Sequence, residues 1–225
     1  MLEIEKFTIK DLREDKYLND LPDFYDLKNV VEISAWHNNQ TVFDHVVLVY
    51  ENLLKSLDGS FLPEDFQEKF KLMLGKRVGT KDVCELLKIA TLFHDISKNN
   101  CTLVHANGTT SSPGHEIIGS AESYKFSAKF ELNTEQSIFV SEIIKYHGFA
   151  YDILFHVIRT KKVDYYFEIF KKVLADFSLP VLVLFYSDLL GSDYKSNNIS
   201  GFENLKNLII ELIIKDISLP ISSTH

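Results

Sequence analysis

The sequence is poor in cysteine, and its two, Cys84 and Cys101, lie apart without C-x-x-C spacing. Neither a disulfide framework nor a zinc knuckle is indicated, and a reducing compartment is expected. Long apolar runs are also missing. The longest, LPVLVLFY at 179–186, falls well short of the roughly 20 residues that a bilayer span needs. The opening MLEIEKFTIKDLRED is too acidic for a secretory leader, so a soluble, cytoplasmic protein without a membrane partner is expected. Positive charge is scarce too, the formal net charge being −8. Gripping long nucleic acid through its phosphates needs a clustered lysine and arginine surface, so no such partner is expected. Small ligands suit the chain better. A phosphorylated one would need positive charge within its own pocket, for which metal ions are one source.

What is present is ordinary globular composition: 225 residues, 45% apolar and 25% charged. That is room for one good core, and a single domain over 1–225 is expected. Helical periodicity recurs along most of the length while alternating strands do not, which predicts an all-α fold. TVFDHVVLVYENLLKSL at 41–57 places Val42, His45, Val46, Val49 and Leu53 on one stripe, opened by Thr41 with Asp44 three residues on. Further helices are predicted within 63–74, from about Thr80 to Ile96, from Gly114 through the 120s, and over 133–148 between Asn133 as N-cap and Gly148 as terminator. Others follow at 163–177, 180–191 and 202–216. Between them NNCTLVHANGTTSSPG, 99–114, reads as a loop and a candidate lid.

Against this apolar background, ligand-type side chains stand where packing wants none. His45, the pair His94–Asp95, His147 and Asp188 come from four separate helices, and His115 adds another after Pro113–Gly114. One inward histidine is usually a hydrogen-bonded core residue. Several imidazoles and carboxylates buried together would cost several kcal/mol without compensation, and a divalent metal is the usual compensation. Neighbouring helical residues point about 100° apart, so His94 and Asp95 can flank one ion, or Asp95 can bridge two. Manganese, iron, cobalt, nickel or zinc suits this set better than calcium.

At these residues the sequence resembles the HD-domain metal-dependent phosphohydrolases, whose ordered pattern H…HD…H…H…D falls on His45, His94–Asp95, His115, His147 and Asp188. LFHDISK looks like the family's L-x-H-D-I-G-K with Ser97 in place of glycine, and GHEIIGS looks like G-H-E-x-x-G-A. HNNQTVFDHVVLV, with His37 at its start and His45 within, is similar to the opening of the HD domains of tRNA nucleotidyltransferases, though no nucleotidyltransferase domain precedes it. The likeness covers about 37–193.

The resemblance implies an HD-type helical domain holding one or two divalent ions, manganese, iron, cobalt, nickel or magnesium. His45, His94, Asp95 and Asp188 would hold the first, and Asp95 would bridge to a second on His115 and His147. It further implies a catalytic and substrate-binding role for Lys98, which could reach a substrate phosphate, and for His37, which could bond a phosphoryl oxygen or act as a general acid. The plain alternatives are a solvated cation at a helix end and a loop histidine. Glu116 could orient His115. His105 and His156 fit no pattern and are expected to be structural, and Asp193, Tyr186 and the cysteines receive no role. The implied activity is hydrolysis of a phosphate mono- or diester on a nucleotide or similar small molecule, 2′,3′-cyclic phosphates among them. The same ligands would serve an HD-type di-iron oxygenase, and a metal-binding sensory module without catalysis is a third possibility.

Overall fold

The computed structural model describes residues 1–219 and is mainly α-helical. The helices are α1 (Ile9–Arg13), α2 (Pro22–Asp26), α3 (Val42–Ser56), α4 (Glu64–Leu74), α5 (Val83–Phe93) and α6 (Lys98–Cys101). They continue as α7 (His115–Ser127), α8 (Thr134–Thr160), α9 (Val163–Leu174), α10 (Ser178–Gly191), α11 (Tyr194–Asn197) and α12 (Ile199–Ser218). Three antiparallel two-stranded ribbons lie between them: β1 (Val31–Ile33) with β2 (Asn38–Thr41), β3 (Arg77–Val78) with β4 (Lys81–Asp82), and β5 (Leu103–Val104) with β6 (Thr110–Ser111).

Side-chain caps set the helix starts that position the site. Thr41 Oγ1 accepts from Asp44 N at 3.0 Å and opens α3. Asp82 and Glu85 form a reciprocal capping box on α5, so that helix begins at Val83 rather than near Thr80. Asn133 and Gln136 do the same for α8.

The second half of α8 departs from expectation. The helix runs on through Gly148 to Thr160, so Gly148 is not its terminator and His147 lies in mid-helix. The glycine serves another purpose: a Cβ there would stand 2.5 Å from Glu116 Oε1 on the neighbouring α7. The expected 99–114 loop carries the β5–β6 ribbon, which is tied to β1 where Ile33 N donates to Thr110 Oγ1 at 2.9 Å.

Helix α10 is apolar on every side and correspondingly buried, packed by α3, α8 and α12. Together with α9 it forms the stretch Val163–Gly191, long and apolar enough for a membrane span by length and composition. However, 67% of its most apolar window is buried in the fold, and the stretch is interrupted at Ala175–Phe177. The N-terminal segment also joins the core: Leu12, Leu21, Phe24 and Leu27 are fully buried, and the Phe24 ring meets Phe43 of α3 at 5.3 Å.

Where α10 crosses α3, Gly191 lies so close that a Cβ would meet Val49 N at 2.9 Å and Val49 Cγ2 at 2.7 Å. Backbone on one side cannot yield, so Gly191→Ala must push the helices apart. A loss of about 1–3 kcal/mol, the usual range for overpacking, is expected in urea unfolding. An unchanged midpoint would show that the crossing has slack.

Candidate metal centre

Five helices and the turn after α5 deliver six ligand-type side chains to one place. His45 comes from α3, Asp188 from the end of α10, His147 from the middle of α8 and His115 from the first position of α7. His94 caps the C-terminus of α5 and Asp95 follows it. The six fall into two groups, His45 with His94 and Asp188, and Asp95 with His115 and His147. Within each group the ligand atoms all lie within 4.8 Å of one another.

Asp95 joins the groups. Its Oδ2 is 3.3 Å from His94 Nε2 and 3.6 Å from His45 Nε2, and its Oδ1 is 3.2 Å from His115 Nε2 and 3.7 Å from His147 Nε2. Asp188 Oδ1 lies 3.0 Å from His45 Nε2.

All four imidazoles present the same nitrogen, and a backbone carbonyl is the reason in each case. Nδ1 of His94, His115 and His147 meets the carbonyls of Thr91, Ser112 and Ile144 at 2.8, 2.8 and 2.6 Å. His45 Nδ1 faces Gly191 O at 3.4 Å, a contact that depends on the close crossing of α3 and α10. A carbonyl fixes the proton on Nδ1 and turns the Nε2 lone pair inward, the usual support for a metal-bound histidine.

The donor set suits a cation. His94 Nε2 and Asp95 Oδ1 are buried without a hydrogen-bond partner, and Asp95 Oδ2 has beside it the Lys98 ammonium at 2.9 Å; unmatched atoms of this kind are not left by folding without cause. His115 Nε2 and His147 Nε2 are 3.2 Å apart, a separation at which two lone pairs repel unless something positive is shared. In the metal-free protein that role falls to protons. Burial alone would lower the pKa of His45 and of His115, but the facing carboxylates, Asp188 and Asp95 respectively, outweigh it and raise both. His147 goes the other way, to about 3, through burial and the neighbouring charges of His94 and His115. Burial would raise Asp95 and Asp188, yet the imidazoles, with Lys98 beside Asp95, hold both carboxylates down and ionised.

Lys98 and His37 sit beside the centre, and neither is the exposed group of its plain alternative. Lys98 is no solvated cation: it is buried, with Nζ 2.9 and 3.0 Å from the two oxygens of Glu32 and 2.9 Å from Asp95 Oδ2. Burial works against its charge, but these two carboxylates raise its pKa and keep it an ammonium. His37 is buried as well. Its Nδ1 meets Gln40 Oε1 at 2.9 Å, its Nε2 lies 3.5 Å from Glu32 Oε2, and its ring centroid is 4.6 Å from that of His45. Burial, then the neighbouring His45, lowers its pKa.

Glu116, wedged against Gly148, brings Oε2 to 3.3 Å from His115 Nδ1. His105 and His156 lie outside the centre and are exposed: His105 bonds Ser111 Oγ, and His156 bonds the Asp152 carbonyl of its own helix.

Glu32, Gln40 and Asp193 were not singled out in the sequence. Asp193 Oδ2 accepts from Asn38 N at 2.7 Å and its N–H donates to Trp36 O at 2.8 Å, pinning the 34–38 loop over the site. The groups open into a cavity of about 360 Å³, bounded on the far side by Trp36, Tyr151 and Phe185. A larger cavity of about 810 Å³ lies against Phe139, Phe177 and Leu179. There Lys171 bonds Asp216 and Ser178 at 2.5 and 2.6 Å, so its polar floor is satisfied internally.

Compared with models of known protein families and with curated proteins, the sequence matches none.

The facing carboxylates favour the protonated forms of His45 and His115, and an ion must compete with those protons, so divalent metal binding should release protons. Affinity should rise as pH increases through the histidine range. Calorimetry of manganese binding in two buffers of different ionisation enthalpy reads the proton count directly. Binding without proton release, at an affinity flat between pH 6 and 8, would contradict this arrangement.

Proposed function

We propose that the chain is a metal-dependent phosphohydrolase of HD type, cleaving a small phosphate ester such as a nucleotide or a 2′,3′-cyclic phosphate. The observation that carries this reading is Asp95, one buried carboxylate with an oxygen turned to each of two ligand groups. Support also comes from the order of those ligands along the chain, which resembles the phosphohydrolase pattern.

His45, His94, Asp95 and Asp188 would hold one divalent ion, and Asp95, His115 and His147 a second. Bound there, the pair lowers the pKa of a shared water and neutralises charge on the phosphoryl oxygens. In the reaction the water oxygen forms a bond to phosphorus and the ester P–O bond breaks. A water proton ends on the leaving oxygen, so a monoester dianion gives an alcohol and hydrogen phosphate.

The chain's own part is placement. Gln40 Oε1 would keep the His37 proton on Nδ1 and leave Nε2, 3.5 Å from Glu32 Oε2, as the basic nitrogen of a residue that lines the cavity. From there it takes up the proton that the attacking water gives up and returns it to the leaving oxygen. Lys98, anchored on Glu32 and Asp95, is a fixed positive charge lining the cavity.

Manganese- or iron-loaded protein should hydrolyse p-nitrophenyl phosphate, its bis ester or a member of a nucleotide panel. The rate should be the same under nitrogen as in air and should be lost on chelation. Asp95→Ala should lower turnover about a thousandfold or more, in line with the removal of preorganised charge from a reacting centre, while His156→Ala turns over normally. His147→Ala should reduce bound metal from about two ions per chain to about one. An Asp95→Ala protein with full turnover, or a wild-type reaction that consumes oxygen, would overturn the proposal.

A further inference from the structure

How many phosphoryl groups a substrate can bring into the cavity is set by its walls. Among the described residues lining it, Lys98 is the single lysine or arginine, and its ammonium is already engaged by both Glu32 oxygens and by Asp95. Beyond five of the six ligand-type residues, His94 not being among them, the lining holds three carboxylates, Glu32, Glu116 and Asp152, against that one cation. Asp152 is exposed on α8, one turn past Gly148, and has no ion-pair partner among the described residues. Glu116 lies against Gly148, with Oε1 where a Cβ on that residue would stand. A phosphoryl group seated at the ligand groups has cations to meet. A second one in the same cavity shares it with Glu116 and Asp152, and like charges placed together disfavour binding.

The remaining wall is uncharged, aromatic in part and held in place. Trp36 stacks on Tyr194 at 4.2 Å and meets Tyr151 edge-on at 5.4 Å, while Asp193 bonds the loop that carries it. The volume of about 360 Å³ is at the small end for ligand sites.

We propose that the substrate carries a single phosphoryl group on a flat, uncharged organic moiety, and that Asp152 and Glu116 exclude nucleoside di- and triphosphates. This rests on the phosphohydrolase reading and narrows it. Trp36 and Tyr151 border the organic moiety, and Asp152 acts as a specificity residue that never contacts the reacting atoms.

The test uses metal-loaded full-length protein and two readouts. Turnover is compared for AMP, ADP and ATP, and calorimetry compares binding of the non-hydrolysable phosphonate analogue of AMP with α,β-methylene ADP. In the wild type the monophosphate is favoured about tenfold or more in both readouts. Asp152→Lys narrows the ratio by about tenfold and Asp152→Asn by less, as expected for removing a repulsion of about one pK unit's worth. Both substitutions are at an exposed position, so folding is checked by an unchanged thermal midpoint.

A wild-type protein that binds the diphosphate analogue as tightly as the monophosphate, fails to bind the monophosphate, or keeps its ratio in Asp152→Lys overturns the inference. Selective binding with no hydrolysis of any ester, p-nitrophenyl phosphate included, would defeat the hydrolase reading instead, so the two failures are distinguishable.

Discussion

The structure depends on keeping one carboxylate ionised where a carboxylate should not be. Asp95 follows the C-terminus of α5, the end at which a helix repels anions, and it is buried with Oδ1 left without a hydrogen-bond partner. Taken from water alone, such a charge would cost several kcal/mol and the group would take up a proton instead. Four imidazoles and Lys98 surround it and reverse that outcome. Each has in turn its own anchor: a backbone carbonyl for each imidazole, and Glu32 for the lysine. The polar centre is therefore a chain of dependencies that ends in helix packing, at the Gly191 crossing for His45 and at the Gly148 contact for Glu116 and His115.

This explains why glycines matter more here than their number suggests. At Gly148 and Gly191 the backbone is ordinary helix and the missing side chain is what matters: at Gly191 the backbone of α3 stands in its place, and at Gly148 the movable end of the Glu116 side chain does. Both contacts are between elements distant in sequence. Read locally, Gly148 was a helix end, since a glycine after an apolar stripe is the usual stop. The information that made it a mid-helix residue lies on α7.

Much else was legible because its cause was local. Thr41 and Asn133 announced α3 and α8 through caps that involve residues three positions on. The six ligand-type residues were conspicuous because apolar helix faces rarely carry imidazoles and carboxylates, and the structure brings all six together. Glu32 was not legible. In V-E-I the alternation suggests aliphatic residues inside, yet Glu32 is buried while Val31 and Ile33 are 37% and 39% exposed. The strand turns its polar side inward because Lys98 and His37 are there to receive it, and both lie far along the chain or across a ribbon. Asp193 was silent for the same reason: its partners, Trp36 and Asn38, are at the opposite end of the motif region.

If Asp95 is shared by two ions, they would be close enough for their electron spins to couple. Titrating manganese(II) into metal-free protein while recording electron paramagnetic resonance tests this most directly. The account predicts that the second equivalent replaces an isolated six-line signal with the broadened spectrum of an exchange-coupled pair, and that His147→Ala never leaves the six-line form. A wild-type spectrum that stays six-line and integrates to all the manganese bound would contradict it.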